Sequence, residues 1–253
     1  MLNSVPEQPR EHHLGSEESN LNDLRAVQVH DPLLRSFAGL TGRIVLFGGS
    51  FDPIHNGHLH FAKEIQREVG ADALVFIPAK QNPMKDHTTG ASGAERVEMI
   101  RRALIGQEGL YVSPIEVQRC NSAPSYTIDT VREVRERIDS EAELYFLIGA
   151  DLIPNLHLWK DISEIFALTD ALITVPRADE SGNALLPRDI QNLNPSLLPD
   201  QLKKLSDNFV PIRGPSVSST RIREKFANGG EIDGEVPRVV EDFIREEGLY
   251  QDK

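Results

Sequence analysis

The sequence predicts an α/β fold built on a doubly wound parallel sheet, and three observations carry that reading. Short apolar, β-branched runs alternate with segments of helical apolar spacing from Arg43 onward. Alternation of that kind implies right-handed crossovers between parallel strands. A glycine-rich stretch, Gly48 to His58 (GGSFDPIHNGH), joins the first run to the first helical segment, and a strand–loop–helix of this kind is a natural phosphate cradle. The 253 residues suit one domain, or one domain with a tail, and are enough for a real core.

Residues 1–41 read as an N-terminal extension and 42–253 as the domain. Pro6, Pro9 and the run Gly15-Ser16-Glu17-Glu18-Ser19-Asn20 bury too little apolar surface to offset the loss of chain entropy, so a largely mobile arm is expected. A short helix between Leu21 and Leu40, interrupted at Pro32, is the one element expected there, and a regulatory or partner-binding role is the functional alternative.

Within the domain, Arg43-Ile44-Val45-Leu46-Phe47 has the length and branching of a buried strand. Leu59, Ala62, Ile65 and Val69 then mark one helix face. Ala73–Ile77 reads as the second strand, Ala94–Leu104 as a helix entered through a Ser92/Glu95 capping box, and Leu110–Val117 as the third strand. Thr127–Ile138 is helical, Leu144–Ile148 a strand, Ile162–Leu168 a short helix and Ala171–Val175 a strand. Asp179–Asp207, with Pro187, Pro195 and Pro199, reads as a long surface connection, helical in part from Pro199. Phe209–Ile212 is the expected last strand. Two helices follow, Ser219–Ala227 and Pro237–Glu247, the second with proline at its start and Gly248 past its end.

Composition narrows the function. The acidic balance, 39 Asp plus Glu against 27 Lys plus Arg, argues against nucleic acid as the main partner, since that needs clustered positive charge, while a small anionic substrate remains compatible. The single cysteine, Cys120, excludes an internal disulfide framework and fits a reducing compartment. No run approaches the roughly 20 apolar residues of a membrane span, and the N-terminus lacks a signal-peptide layout. The expected location is the cytoplasm, with no membrane partner; a homo-oligomer is left open.

Two segments have the chemistry of anion sites. In the first, Gly48 and Gly49 remove side chains near the backbone, and His55 and His58, three apart at a helix start, can both turn toward one pocket and donate to phosphate oxygens. Surface or core histidines are the plainer alternative. A metal pair has little support, since no cysteine stands at ligand spacing, although His60 is near. In the second, Ser218, Ser219 and Thr220 open a helix with Arg223 one turn inside, so that hydroxyls, N–H groups and a forked guanidinium converge; simple N-capping is the alternative. Asp151, at the end of a strand, could accept a ribose hydroxyl, help orient Mg²⁺ or cap the next segment. Trp159, the chain's only tryptophan, could offer a stacking face or serve as half-buried packing.

GGSFDPIHNGH resembles the (T/H)xGH loop of the nucleotidyltransferase superfamily, in the FDPxHxGH form of the bacterial nicotinate-nucleotide adenylyltransferases. Ser216–Arg223 is similar to the family's ISSTxIR motif, with Val217 in place of isoleucine. Asn82-Pro83-Met84-Lys85 resembles its NPxK loop, Ser125–Thr130 its SYTxDT segment, Gly149-Ala150-Asp151 its GAD element and Leu158-Trp159-Lys160 its ring-stacking tryptophan. Pro237–Val240 and Gly248-Leu249-Tyr250 are similar to its terminal VxxYIxxxGLY. The likeness runs from about Gly42 to Tyr250. Departures are Ser50 for threonine, Phe243 for tyrosine, the N-terminal arm and the extra connection from Asp179 to Asp207.

This resemblance implies a Rossmann-like nucleotidyltransferase fold and transfer of AMP from ATP to nicotinate mononucleotide. It implies that His55 and His58 meet the α- and β-phosphates, with Gly48, Gly49, Ser50 and Phe51 at the nucleotide and Asp151 nearby. Ser218, Ser219, Thr220 and Arg223 would grip the β- and γ-phosphates. Lys85, Thr127 and Trp159 would hold the acceptor nucleotide, and Mg²⁺ would be held mainly by phosphate oxygens and water. Rival readings are the same transfer onto nicotinamide mononucleotide or phosphopantetheine, and a nucleotide-binding regulator without turnover.

Overall fold

Five parallel strands make one sheet in the order β3-β2-β1-β4-β5, comprising β1 (Arg43–Gly49), β2 (Ala73–Pro78), β3 (Leu110–Val112), β4 (Glu143–Gly149) and β5 (Ala171–Val175). The computed structural model describes residues 33–80, 90–119, 125–176, 187–212, 214–232 and 234–251. β2 and β5 are buried along their whole length, as expected for parallel strands covered by helices on both faces. The order reverses between β1 and β4, whose carboxyl ends therefore flank the crevice where doubly wound sheets bind ligands. The cradle loop leaves β1 there and Asp151 follows β4 there.

The helices are α1 (Asn56–Val69), α2 (Gly93–Ala103), α3 (Thr127–Arg137), α4 (Ile162–Leu168), α5 (Pro187–Leu193), α6 (Pro199–Asp207), α7 (Ser219–Ala227) and α8 (Arg238–Glu246), with a 3₁₀ helix over Ala150–Leu158. Ser92 and Glu95 form the expected capping box: the Glu95 N–H donates to Ser92 Oγ at 3.2 Å and the Ser92 N–H to Glu95 Oε2 at 2.6 Å. Gly70 ends α1 in the left-handed conformation, φ +61°, where glycine carries no Cβ penalty.

Four expectations change. β3 stops at Val112 rather than Val117, because Pro114 has no N–H to continue the ladder. Phe209–Ile212 forms a single bridge, Phe209 to Thr174, and Pro211 again removes the next donor. The described part of the 179–207 connection is no surface loop: it contains α5 as well as α6, and Ile190, Leu197 and Leu205 sit in the main core with Ile153, Leu156 and Ile165. Upstream of Gly42, Leu34 bridges to Val112 and Phe37 is buried in the same core, so packed structure begins before residue 42 and residues 33–40 are turn and bridge rather than helix. The rest of the N-terminal arm, Lys85 with its Asn82–Lys85 loop, and Cys120 lie outside the described residues.

Candidate active site

The cradle is built by β1 running into a loop that α1 closes. Phe51 adopts φ +48°, a conformation that a bulky residue holds only when its surroundings fix it. Its ring is buried, crosses Phe47 and Phe76 edge-on at 5.3 Å, and lies 4.9 Å from the His58 ring. It also folds back over Gly49, where a Cβ would come within 2.7 Å of the ring. Phe51 thus supports the cradle as a wedge as well as through its backbone.

His55 is the N-cap of α1, in place of the usual Ser, Thr, Asp or Asn. Its Nδ1 accepts the His58 N–H at 3.3 Å, while His58 Nδ1 accepts the His55 N–H at 3.3 Å. The two rings stack, centroids 3.6 Å apart and 16° from parallel. An acceptor Nδ1 means that each neutral ring carries its proton on Nε2. Two of the N–H groups at this helix start already have partners. The Asn56 N–H donates to the Glu235 carbonyl at 2.9 Å and the His58 N–H is taken by His55. The imidazoles and the positive end of the helix dipole can favour an anion here.

Behind the loop lies a buried polar cluster. Asp52, 3 % exposed, accepts the Gly90 N–H at 2.8 Å, the Ala91 N–H at 3.1 Å and the Tyr250 hydroxyl at 2.7 Å. Burial, and then the Asp52 charge, pushes the Tyr250 phenol far above its ordinary range, so it stays protonated and donates. Arg96, fully buried, donates to the carbonyls of Ser50 at 2.8 Å and Ala91 at 3.3 Å. Burial lowers the Arg96 pKa and the Asp52 carboxylate opposes that shift.

α7 carries the second candidate segment, and the structure brings it against the first. Arg223 Nη1 donates to the Asp52 carbonyl at 2.7 Å and lies 3.9 Å from Asp52 Oδ2. Ser219 Oγ donates to the Pro53 carbonyl at 3.0 Å. Ser218, the N-cap, makes no side-chain cap, so the N-capping alternative does not account for it. Thr220 is exposed, with its hydroxyl 3.5 Å from Arg223 Nη2. A Cβ on Gly57 would press on the His55 ring at 3.0 Å, while the Pro215 carbonyl, at 3.5 Å, would be in ordinary contact.

On the far side of the switch point, Thr127 opens α3 and is half-buried. The preceding Ser125 Oγ accepts the Lys80 N–H at 3.1 Å, which ties this segment to the end of β2. Trp159 caps the 3₁₀ helix, half-buried and edge-on to Phe146 at 6.3 Å. Its neighbour Lys160 spans to α3, 4.8 Å above the Tyr126 ring and 3.5 Å from Asp129. Trp159 and Thr127 therefore belong to one neighbourhood. Asp151 is exposed in the first turn of the 3₁₀ helix. Among the described residues no three His, Cys, Asp or Glu side chains gather as a metal site.

The cytidylyltransferase-like family model matches residues 46–225. A probable nicotinate-nucleotide adenylyltransferase of Dehalococcoides mccartyi is 35% identical over 207 residues, 81% of this chain and 95% of the relative. One from Neisseria meningitidis is 37% identical over 210 residues, 83% and 98% of the two chains. The chain belongs to the nicotinate-nucleotide adenylyltransferase family. Among solved structures, the Plasmodium falciparum nicotinic acid mononucleotide adenylyltransferase complexed with NaAD aligns with a TM-score of 0.62 at 19% identity, over 83% of this chain and 97% of that one. A putative nicotinate-nucleotide adenylyltransferase from Vibrio parahaemolyticus gives 0.55 at 17%, covering 84% and 98%. At these identities the likeness is one of fold.

For this member of the nicotinate-nucleotide adenylyltransferase family, sequence reasoning missed four polar residues. Asp52 and Tyr250 stood inside quoted motifs without a role. Arg96 lay in the expected Ala94–Leu104 helix with no role assigned. Glu116 lay in the supposed third strand; it is buried and accepts the Thr130 hydroxyl at 2.5 Å, and burial raises its pKa against the lowering effect of Thr130 and Ser125. An acid two residues after Pro114, where a strand cannot continue, was the available signal for Glu116.

Proposed function

We propose that this protein transfers the adenylyl group of ATP to nicotinate mononucleotide, giving nicotinate adenine dinucleotide and pyrophosphate. One observation carries the reading: two anion-binding segments 160 or more residues apart in sequence meet on the Asp52–Pro53 carbonyls, through Arg223 and Ser219. Family membership supplies the substrates, and the acceptor-side neighbourhood of Thr127 and Trp159 fits a nucleotide with an aromatic base.

In this reading the acceptor phosphate attacks the α-phosphorus in line. It is an anion near neutral pH, so no general base is required. Catalysis is then positioning and charge neutralisation. His55 and His58 donate through Nε2 to the α- and β-phosphates. Ser218, Ser219, Thr220 and Arg223 hold the β- and γ-phosphates, with Arg223 anchored through one nitrogen so that its fork is aimed. Gly48, Gly49, Ser50 and Phe51 bound the nucleotide, and Asp151 reaches the ribose hydroxyls. Lys85, Thr127 and Trp159 hold the acceptor. Mg²⁺ bound by phosphate oxygens and water would neutralise part of the triphosphate charge. No helix of the described residues is long and apolar enough to cross a membrane, and the reading places the reaction in the cytoplasm.

The test is product analysis. Incubation with ATP, Mg²⁺ and nicotinate mononucleotide should yield the dinucleotide and pyrophosphate in equal amounts, abolished by chelation. ATP binding without pyrophosphate release for any acceptor would support the non-catalytic regulator instead.

A further inference from the structure

Asn194 lies in the extra connection, between α5 and α6, and is 1 % exposed. Its Nδ2 donates to the carbonyls of Ile153 at 2.8 Å and Pro154 at 3.2 Å and lies 3.0 Å from His157 Nδ1, so its two hydrogens are shared among three groups. Its Oδ1 accepts the Ser196 N–H at 3.1 Å, which fixes the amide orientation. All three groups belong to the 3₁₀ helix that Trp159 terminates. Pro154 sits inside that helix and has no N–H to give to its ladder. The N–H missing at Pro154 would have served the Asp151 carbonyl, whereas Asn194 ties the carbonyls of Ile153 and Pro154 from outside the helix, so it is an added brace rather than a replacement. Ile190 and Leu197 flank Asn194 in sequence and pack in the core with Ile153 and Leu156, so the donor is itself held rigidly.

We propose that Asn194 is a positioning residue for the acceptor nucleotide, fixing the 3₁₀ helix so that Trp159 presents its indole face at the switch-point crevice. This rests on the reading of Trp159 as the acceptor's stacking partner. It gives the inserted segment a task at the site: the connection braces the acceptor half of the crevice, while the ATP half is held independently by Asp52, Tyr250 and Arg223.

Because Trp159 is the only tryptophan, its fluorescence reports this position alone. Asn194→Ala should raise the KM for nicotinate mononucleotide by about 5–10-fold, the loss expected from one or two buried hydrogen bonds, and leave the KM for ATP within about twofold. Acrylamide should quench the Trp159 emission of this variant more strongly than that of the wild type, and the mononucleotide should quench it only at higher concentration. Asn194→Ser, which keeps a hydroxyl but cannot reach both carbonyls, serves the same purpose if the alanine variant does not fold. Equal rises in both KM values, or no change in either, would overturn the proposal, provided Trp159→Ala raises the acceptor KM. If Trp159→Ala leaves the acceptor KM unchanged, the stacking reading falls and the proposal falls with it.

Discussion

The Tyr250 hydroxyl donates to Asp52 Oδ1 at 2.7 Å across 198 residues of sequence, joining the last described turn of the chain to the cradle loop. Asp52 is thereby supplied with three donors, two of them backbone N–H groups of Gly90 and Ala91. A carboxylate so satisfied has less hold on Arg223, whose Nη1 binds the Asp52 carbonyl instead and stays 3.9 Å from Oδ2.

Tyr250→Phe should therefore act on the site and not only on the fold. Removing the hydroxyl should cost about 1–3 kcal/mol of stability, since a buried carboxylate loses a donor. It should also draw Arg223 toward Asp52 and raise the KM for ATP several-fold. Urea unfolding and initial-rate kinetics on the same preparation check both.

Arg223→Lys keeps the charge but loses the fork. One nitrogen cannot both bind the Asp52 carbonyl and reach phosphate, so kcat/KM for ATP should fall by about 10²-fold, with the acceptor KM little changed. Steady-state kinetics with each substrate varied in turn measures the split.

His58→Ala removes an Nε2–H donor and one half of the α1 capping box. Turnover should drop by about 10²–10³-fold, while stability falls by only about 1 kcal/mol. A variant that unfolds cooperatively yet turns over at the wild-type rate would refute the assignment to phosphate.

Glu116 gives a pH signature. Burial raises its pKa in the folded state, so the fold binds its proton more tightly than the unfolded chain does. Its contribution to stability is thus full below its unfolded pKa and is lost as pH rises through the raised value. Glu116→Gln should match the wild type in acid and be the more stable of the two at neutral pH, by about 1.4 kcal/mol per unit of upward shift. Urea unfolding at pH 4 and pH 8 reads the difference.

What was legible in the sequence follows from the range of the forces involved. β1, α2 with its Ser92/Glu95 box, α4, β5 and α7 carry their signals locally, in periodicity and capping, and they form where those signals stand. The His55/His58 pair was also local, and the structure stacks it. The ends of β3 and of the Phe209 segment were misjudged because apolar residues continue past the prolines that stop pairing. α5 was hidden by proline and polar residues, since it is held by packing on the 3₁₀ helix more than by its own propensity. The Asp52–Arg96–Tyr250 cluster could not be read: its members are distant in sequence, and nothing local to the motifs that hold Asp52 and Tyr250 shows that the two meet.

The most direct test of the central claim sets three acceptors side by side, nicotinate mononucleotide, nicotinamide mononucleotide and phosphopantetheine, and measures Mg²⁺-dependent pyrophosphate release from ATP with each. Fast release with nicotinate mononucleotide alone is the predicted result. Preference for either of the others would contradict the acceptor assignment to Thr127 and Trp159 while leaving the fold and the phosphate clamp in place.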